Sequence, residues 1–147
     1  ADVRRSVSAL RADSGVKKPL PVSLQELVEE SSSPELQITF QQTGQAYQLS
    51  PQAELALFRS AQEGLTNIRK HAQASQAIFS LDYAPGNVIL TMKDNGIGVT
   101  TPGKGYGLLG LKERLNLLGG EVQTHTIPGN GFTLKVTLPV HSKDGIS

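Results

Sequence analysis

Cysteine is absent from the 147 residues, which excludes a disulfide framework, thiolate zinc sites and a cysteine nucleophile. Long apolar runs are absent as well: the longest covers only a few residues, far short of the roughly 20 that cross a bilayer as a helix. Nor is there an excess of charge of either sign. Fourteen Lys and Arg face thirteen Asp and Glu, leaving a formal +1, whereas a protein that binds nucleic acid by neutralising phosphates carries a larger basic surplus. Nucleic acid is therefore not an expected partner. The chain opens at Ala1, without a methionine and without a signal-peptide pattern. We read it as a soluble, cytoplasmic piece of a larger protein, with any membrane anchor elsewhere in the parent. What is present suffices for one core: 37% of residues are apolar and 18% charged, in a length typical of a single domain.

The hydrophobic pattern divides the chain into elements. Val3, Val7 and Leu10 recur at helical spacing with Arg4, Arg5 and Arg11 off the stripe, which reads as the end of a helix stopped near Gly15. Residues 16–21 read as an extended linker. Ser23-Leu24-Gln25-Glu26 forms a capping box with Val22 and Leu27 as its staple, and predicts a helix that fades at residues 31–34. Leu36, Ile38 and Phe40 alternate as a strand, and a turn around Gly44 leads to a second strand through Tyr47 and Leu49. Ser50-Pro51 opens a long helix. It carries Leu55, Phe58, Ala61, Leu65, Ile68 and Ala72 on one face.

Two alternating strands follow at 77–83 and 88–94, joined by residues 84–87. A glycine-rich stretch at 96–107 leads to a helix with Leu108, Leu111, Leu115 and Leu118 on one face, stopped by Gly119-Gly120. A hairpin of residues 121–126 and 132–138 closes the pattern, and residues 140–147 read as a tail. Strands that arrive mainly as hairpins predict an α+β sandwich, a largely antiparallel sheet with helices on one face.

The long helix carries a second stripe. Glu63, Asn67 and His71 fall at i, i+4 and i+8, roughly 140° from the centre of the apolar face at about 100° per residue, with Lys70 beside them. The stripe is either a solvated helix face or a site. A carboxylate and an amide oxygen one turn apart suit a hard divalent cation such as magnesium, which takes oxygen ligands and keeps several waters. Lys70 and His71 would then meet phosphate oxygens. Asp94-Asn95-Gly96-Ile97-Gly98, at a strand end, is a turn sequence that also has a chemical reading. An ionised carboxylate only accepts hydrogen bonds, so Asp94 would take the exocyclic amine of adenine in preference to the carbonyl of guanine. Gly96 and Gly98 would let the backbone approach the nucleotide.

Gly103-Lys104-Gly105-Tyr106-Gly107-Leu108-Leu109-Gly110 contains a GxGxxG from Gly105 to Gly110. Its dinucleotide reading fails on context, because that reading needs a strand directly before it and a parallel strand after it. No G-x-x-x-x-G-K-[ST] occurs, which removes a Walker-type phosphate loop. No HRD or DFG occurs either, which removes a eukaryotic protein kinase. The remaining alternatives are a surface loop, or a glycine loop that delivers phosphates to the helix amides around Leu108, with Lys104 and Arg114 adding charge.

In this order the pieces resemble the ATP-binding domain of the GHKL superfamily of gyrase, Hsp-type chaperone, histidine kinase and MutL. The stretch from Glu63 to Ala72 resembles its N box, Asp94–Gly98 its first glycine box, Gly103–Gly110 the second, in the lid, and residues 128–134 the closing glycine segment. The Lys70-His71-Ala72 ending and Gly107-Leu108-Leu109-Gly110-Leu111-Lys112-Glu113-Arg114 are most similar to DesK/NarX-like sensor histidine kinases. The resemblance implies a two-layer α/β sandwich of the Bergerat type with a mixed sheet, and ATP and Mg²⁺ as cofactors. It implies Asn67 as magnesium ligand, Asp94 as adenine contact, Lys70 and His71 near the phosphates, and Gly96, Gly98, Gly105 and Gly107 as backbone clearance. Glu63 either orients magnesium-bound water or serves as a base.

By the same resemblance, residues 1–15 end a dimerisation and phosphotransfer helix, 16–140 form the catalytic domain and 141–147 a tail. The phosphoacceptor histidine lies upstream of this chain, and His71, His125 and His141 are not read as acceptors. A response regulator is the onward partner. The full-length protein is expected to be a homodimer and the fragment a monomer. Two other functions remain open at this point: another GHKL ATPase or serine kinase, and a module that binds ATP without catalysis.

Overall fold

Pro19 and Pro21 decide where the first described helix begins. In the computed structural model, which describes residues 18–97, 108–126 and 131–140 (backbone alone at 71 and 72), α1 covers Leu20–Ser31 with Pro19 as N-cap. Proline is tolerated there because its missing N–H is one the first turn leaves unpaired anyway. The Ser23 N–H donates to the Pro19 carbonyl at 3.1 Å, so Ser23 lies inside the first turn and the expected capping box at Ser23 is not made. Val22 is 43% exposed, and its staple contact is lost with the box.

The strand β1, Gln37–Thr43, follows as expected. The predicted second strand through Tyr47 and Leu49 does not form, and residues 45–50 have no regular structure. Side chains hold this segment instead. The Tyr47 hydroxyl bonds to the carbonyls of Ala84 at 2.5 Å and Asn87 at 2.9 Å, its ring meets Tyr83 edge-on at 5.1 Å, and Leu49 is buried. The partner of β1 is β2, Gln76–Ala84, paired in parallel over its whole length.

Helix α2, Pro51–Asn67, starts as its sequence predicts, with the Ser50 side chain accepting from the Ala53 N–H at 3.1 Å. Its buried face differs from the expected one. Ala56, Leu57, Ser60, Ala61, Gly64, Leu65 and Asn67 are buried, while Leu55 is 53% exposed. The core face is thereby turned by about 90° at 100° per residue. Small residues explain the turn. The Ser60 hydroxyl satisfies itself on the Ala56 carbonyl at 2.7 Å, and Gly64 lies so close to the Met92 sulfur that a Cβ would collide with it. Ser60 and Gly64 thus lie on the core face between the buried Leu57 and Leu65.

After Asn67 the ladder widens into one π-helical turn, Ile68–Ala72, ended by Gln73 at φ 51°. The strands β2 and β3, Asn87–Asp94, form the expected hairpin. Helix α3, Leu108–Leu117, buries Leu108, Leu111 and Leu115. It stops as expected at Gly119, whose φ of +79° lets the Gly120 N–H reach the Leu115 carbonyl at 2.8 Å. Strands β4, Glu121–Thr126, and β5, Phe132–Pro139, complete an antiparallel hairpin.

The five strands lie in the order β1-β2-β3-β5-β4, with one parallel and three antiparallel pairings. Alternate residues on β2, β3 and β5 are buried (Phe79, Leu81, Leu90, Met92, Leu134, Val136) against Leu24 and Val28 of α1, Leu57 and Leu65 of α2, and Leu111 and Leu115 of α3. This is the expected α+β two-layer sandwich. No helix among the described residues is long and apolar enough to cross a membrane. The helix expected before Gly15, the lid glycines and the tail lie outside the described residues.

Candidate functional site

Strand alternation carries a carboxylate into the core layer. Val88, Leu90 and Met92 point inward from β3, and the same period brings Asp94, the last residue of this central strand, to 4% exposure. A bare carboxylate there would be costly. The Gly96 N–H donates to its Oδ1 at 2.8 Å, and the Phe132 backbone N–H adds a second bond. Burial pushes the Asp94 carboxyl above its ordinary value, and those two amides pull it part of the way back. The result is an oriented acceptor at the edge of the core.

Two neighbours fix the strand end. Gly131, at φ +101°, passes so close to the Asp94 carbonyl that any Cβ would strike it. On the other side the Asn95 side chain bonds to the loop before β2. Its Oδ1 accepts from the N–H groups of Ser75 and Gln76, each at 3.0 Å, and its Nδ2 donates to the Ser75 hydroxyl at 3.0 Å.

The exit of α2 reaches this same end of the sheet through that loop. Asn67 is 5% exposed, and its buried Nδ2 has no hydrogen-bond partner among the described residues. A buried polar atom left unpaired costs about 1–3 kcal/mol, so the orphan amide is a place where a ligand could complete the structure. A flip exchanges the amide's donor and acceptor ends, so the position suits either an acceptor facing Nδ2 or a cation facing Oδ1. Glu63, one turn earlier, is half-buried, and Lys70 is exposed on the π-helical turn. The Arg69 guanidinium ties that turn to the Ser31 carbonyl at 3.0 Å.

The structure thus brings Asn67 and Asp94, expected from sequence on separate elements, to linked places. Gly96 is buried against Asp94, and Leu108 is the first residue of α3 with its side chain buried. The His71 side chain and Gly98, Lys104, Gly105 and Gly107 lie outside what the structure describes. Among the described residues no three of His, Asp and Glu group as a metal site. A magnesium ion that uses one protein oxygen and draws its other ligands from water and phosphate fits the Asn67 amide. The stripe of Glu63 and Asn67, expected far from the apolar face, borders it instead because that face is turned toward the stripe. Sequence reading missed the Asn95 bonds, since Asp-Asn-Gly signals only a turn, and it missed the π-helical turn, for which no residue pattern stands out.

A family model described as "Histidine kinase-, DNA gyrase B-, and HSP90-like ATPase" matches residues 52–142. The chain belongs to this ATPase family. It is accordingly an ATP-binding domain. The chain is similar to the signal transduction histidine-protein kinase/phosphatase DegS of Brevibacillus brevis, 34% identical over 73% of this chain and 28% of that protein. It is 37% identical to the nitrate/nitrite sensor protein NarQ of Escherichia coli over 66% of this chain and 18% of that protein. The chain therefore spans less than a third of the length of these curated relatives. Its fold matches the histidine kinase domain of the Erythrobacter litoralis EL346 blue-light activated histidine kinase with a TM-score of 0.68, at 16% identity, over 87% of this chain and 64% of that one. The members of the ATPase family to which it is similar in sequence are thus sensor histidine kinases.

Proposed function

We propose that this domain is the catalytic part of a sensor histidine kinase: it binds Mg-ATP and presents the γ-phosphoryl to a histidine on a helical dimerisation domain of the same protein. A response regulator's aspartate would then receive it. The single observation that carries this reading is the pair of buried polar side chains, the Asp94 acceptor and the orphan Asn67 amide, in a chain whose relatives include histidine kinases. Asp94 accepts the adenine amine, and guanine, which presents a carbonyl there, is refused. Asn67 offers its amide oxygen to magnesium, whose charge neutralises the phosphates, while Glu63 orients metal-bound water or acts as a base. Lys70, His71 and Lys104 face phosphate oxygens, the first-turn amides at Leu108 add to them, and Gly96, Gly98, Gly105 and Gly107 give clearance.

Phosphoryl transfer depends chiefly on positioning and charge neutralisation, which suits a site without an activated nucleophile. In the transfer, the bond from the γ-phosphorus to the β–γ bridging oxygen breaks, a neutral imidazole nitrogen takes the phosphoryl, and ADP leaves. We assign residues 1–15 to the end of the dimerisation helix, 16–140 to the catalytic domain and 141–147 to a tail. The working form is a cytoplasmic domain of a homodimer, monomeric when isolated.

Calorimetric titration with ATP and GTP, with and without magnesium, tests the site. Magnesium-dependent binding of ATP with GTP refused is expected, and binding of neither nucleotide overturns the reading. Fusion to the relatives' histidine helices tests the chemistry. Acid-labile phosphohistidine is expected, and nucleotide binding without it identifies a non-catalytic module.

A further inference from the structure

The segment between the π-helical turn and β2 receives one backbone bond from the sheet, the Gln37 N–H of β1 donating to the Ser75 carbonyl at 2.9 Å. Gln73 takes a left-handed φ of 51°, and β2 begins only at Gln76. Asn95 adds the remaining bonds on the other side. Its Oδ1 accepts two backbone N–H groups, from Ser75 and Gln76, its Nδ2 donates to the Ser75 hydroxyl, and its own N–H donates to the Gln76 carbonyl at 3.1 Å. The orientation of the amide follows from its partners, because only an oxygen can receive two N–H donors.

These bonds run 19 and 20 positions back along the chain, so Asn95 does more than cap its own turn. Asn95 is exposed, so burial does not explain its place. Its chain neighbours are Asp94 and Gly96, and the Gly96 N–H is the donor that orients the Asp94 carboxylate. One residue therefore grips the exit of the turn that bears Lys70 and also carries the two groups of the base-reading end.

We infer that Asn95 is a positioning residue that locks the exit of the Ile68–Ala72 turn to the Asp94 strand end, holding the phosphate-facing and base-reading halves of the site in one register. The inference rests on the nucleotide roles proposed above. Side-chain chemistry says which replacements keep the lock. Aspartate retains oxygens for the Ser75 and Gln76 N–H groups, and the Ser75 hydroxyl can turn to donate to it. Leucine has the same branching and no polar atom.

The test compares wild type, Asn95→Leu and Asn95→Asp by amide hydrogen exchange without nucleotide and by titration with ATP and GTP, with Asp94→Asn as reference. In Asn95→Leu, exchange is expected to speed by about tenfold or more at Ser75, Gln76 and Gly96, with the Leu90 amide in mid-strand unchanged. ATP is expected to bind about tenfold more weakly, with a narrower preference over GTP. Asn95→Asp is expected to restore the exchange protection. Faster exchange spread evenly over the sheet would make Asn95 an ordinary contributor to stability and overturn the inference. Unchanged exchange at Gly96, or loosened amides with wild-type nucleotide affinity and selectivity, overturns it too. If wild type binds no nucleotide, the functional reading fails by itself, and exchange at Gly96 still decides the lock: unchanged in Asn95→Leu, it is refuted; accelerated and rescued by aspartate, it stands.

Discussion

The Asp94 carboxylate at the end of β3 receives two backbone N–H groups, whereas the Asn67 amide at the end of α2 keeps a buried Nδ2 with no partner among the described residues. Around Asp94 the backbone is hemmed in by Gly131 on one side and the Asn95 bonds on the other. Around Asn67 the helix widens into a π turn and ends on a non-glycine residue at positive φ. π turns and strained residues collect at functional sites, where other contacts hold them in place. One end is thus assembled before any ligand arrives, which lowers the ordering cost of binding. The other is left incomplete, with a free-energy deficit that the proposed ligand would remove by supplying the missing contact.

The largest effect separates the two ends most sharply. Asp94→Asn is expected to weaken ATP about 100-fold, the scale of a hydrogen bond to a charged group, and to lose discrimination against GTP, read by calorimetry. Its melting temperature should not fall, because the substitution removes a buried charge. At the other end the signs part. Asn67→Leu is expected to raise stability by about 1 kcal/mol in urea unfolding, since it deletes an unpaired buried amide, while magnesium-dependent ATP binding disappears. A loss of stability would show that Asn67 is satisfied within the fold.

Acid distinguishes the base-reading end by its own titration. Burial raises the Asp94 carboxyl above the ordinary 3.8, so the folded form takes the proton before the unfolded chain does. Between the ordinary and the raised value this group's contribution to stability grows as pH falls, while the ionised acceptor is lost. Adenosine, which has no phosphates to titrate, is therefore expected to weaken at a pH above that of an ordinary aspartate, and Asp94→Asn should abolish that pH dependence. The smallest effect belongs to the strained exit: Gln73→Gly is expected to stabilise by about 0.5–1 kcal/mol, seen as a small upward shift in melting temperature.

Local chemistry made much of the molecule legible. Ser50-Pro51 starts α2, alternation marks β2 and β3, and Gly119-Gly120 ends α3, because caps, pleats and left-handed stops depend on a few adjacent residues. Asp94 could be named as an acceptor because the strand period and the following glycines lie in one short segment. The errors share a different cause. Tyr47 and Leu49 have strand-like residues, but although the outer edge of β1 stays open among the described residues, the Tyr47 hydroxyl is drawn to the Ala84 and Asn87 carbonyls and Leu49 is buried in the core. Apolar size misplaces the face of α2, because the core face includes Ser60 and Gly64 beside Leu57 and Leu65, with Gly64 close against Met92.

By itself, then, the sequence determined the order of elements, the absence of thiol chemistry and the residue types available to a nucleotide. Tertiary structure alone decided that the Asn67 amide is buried and unpaired, and that Asn95 reaches back to Ser75 and Gln76. Those are statements about which groups are withdrawn from water and which find partners, and both depend on residues far apart in the chain being held together by the packed sheet.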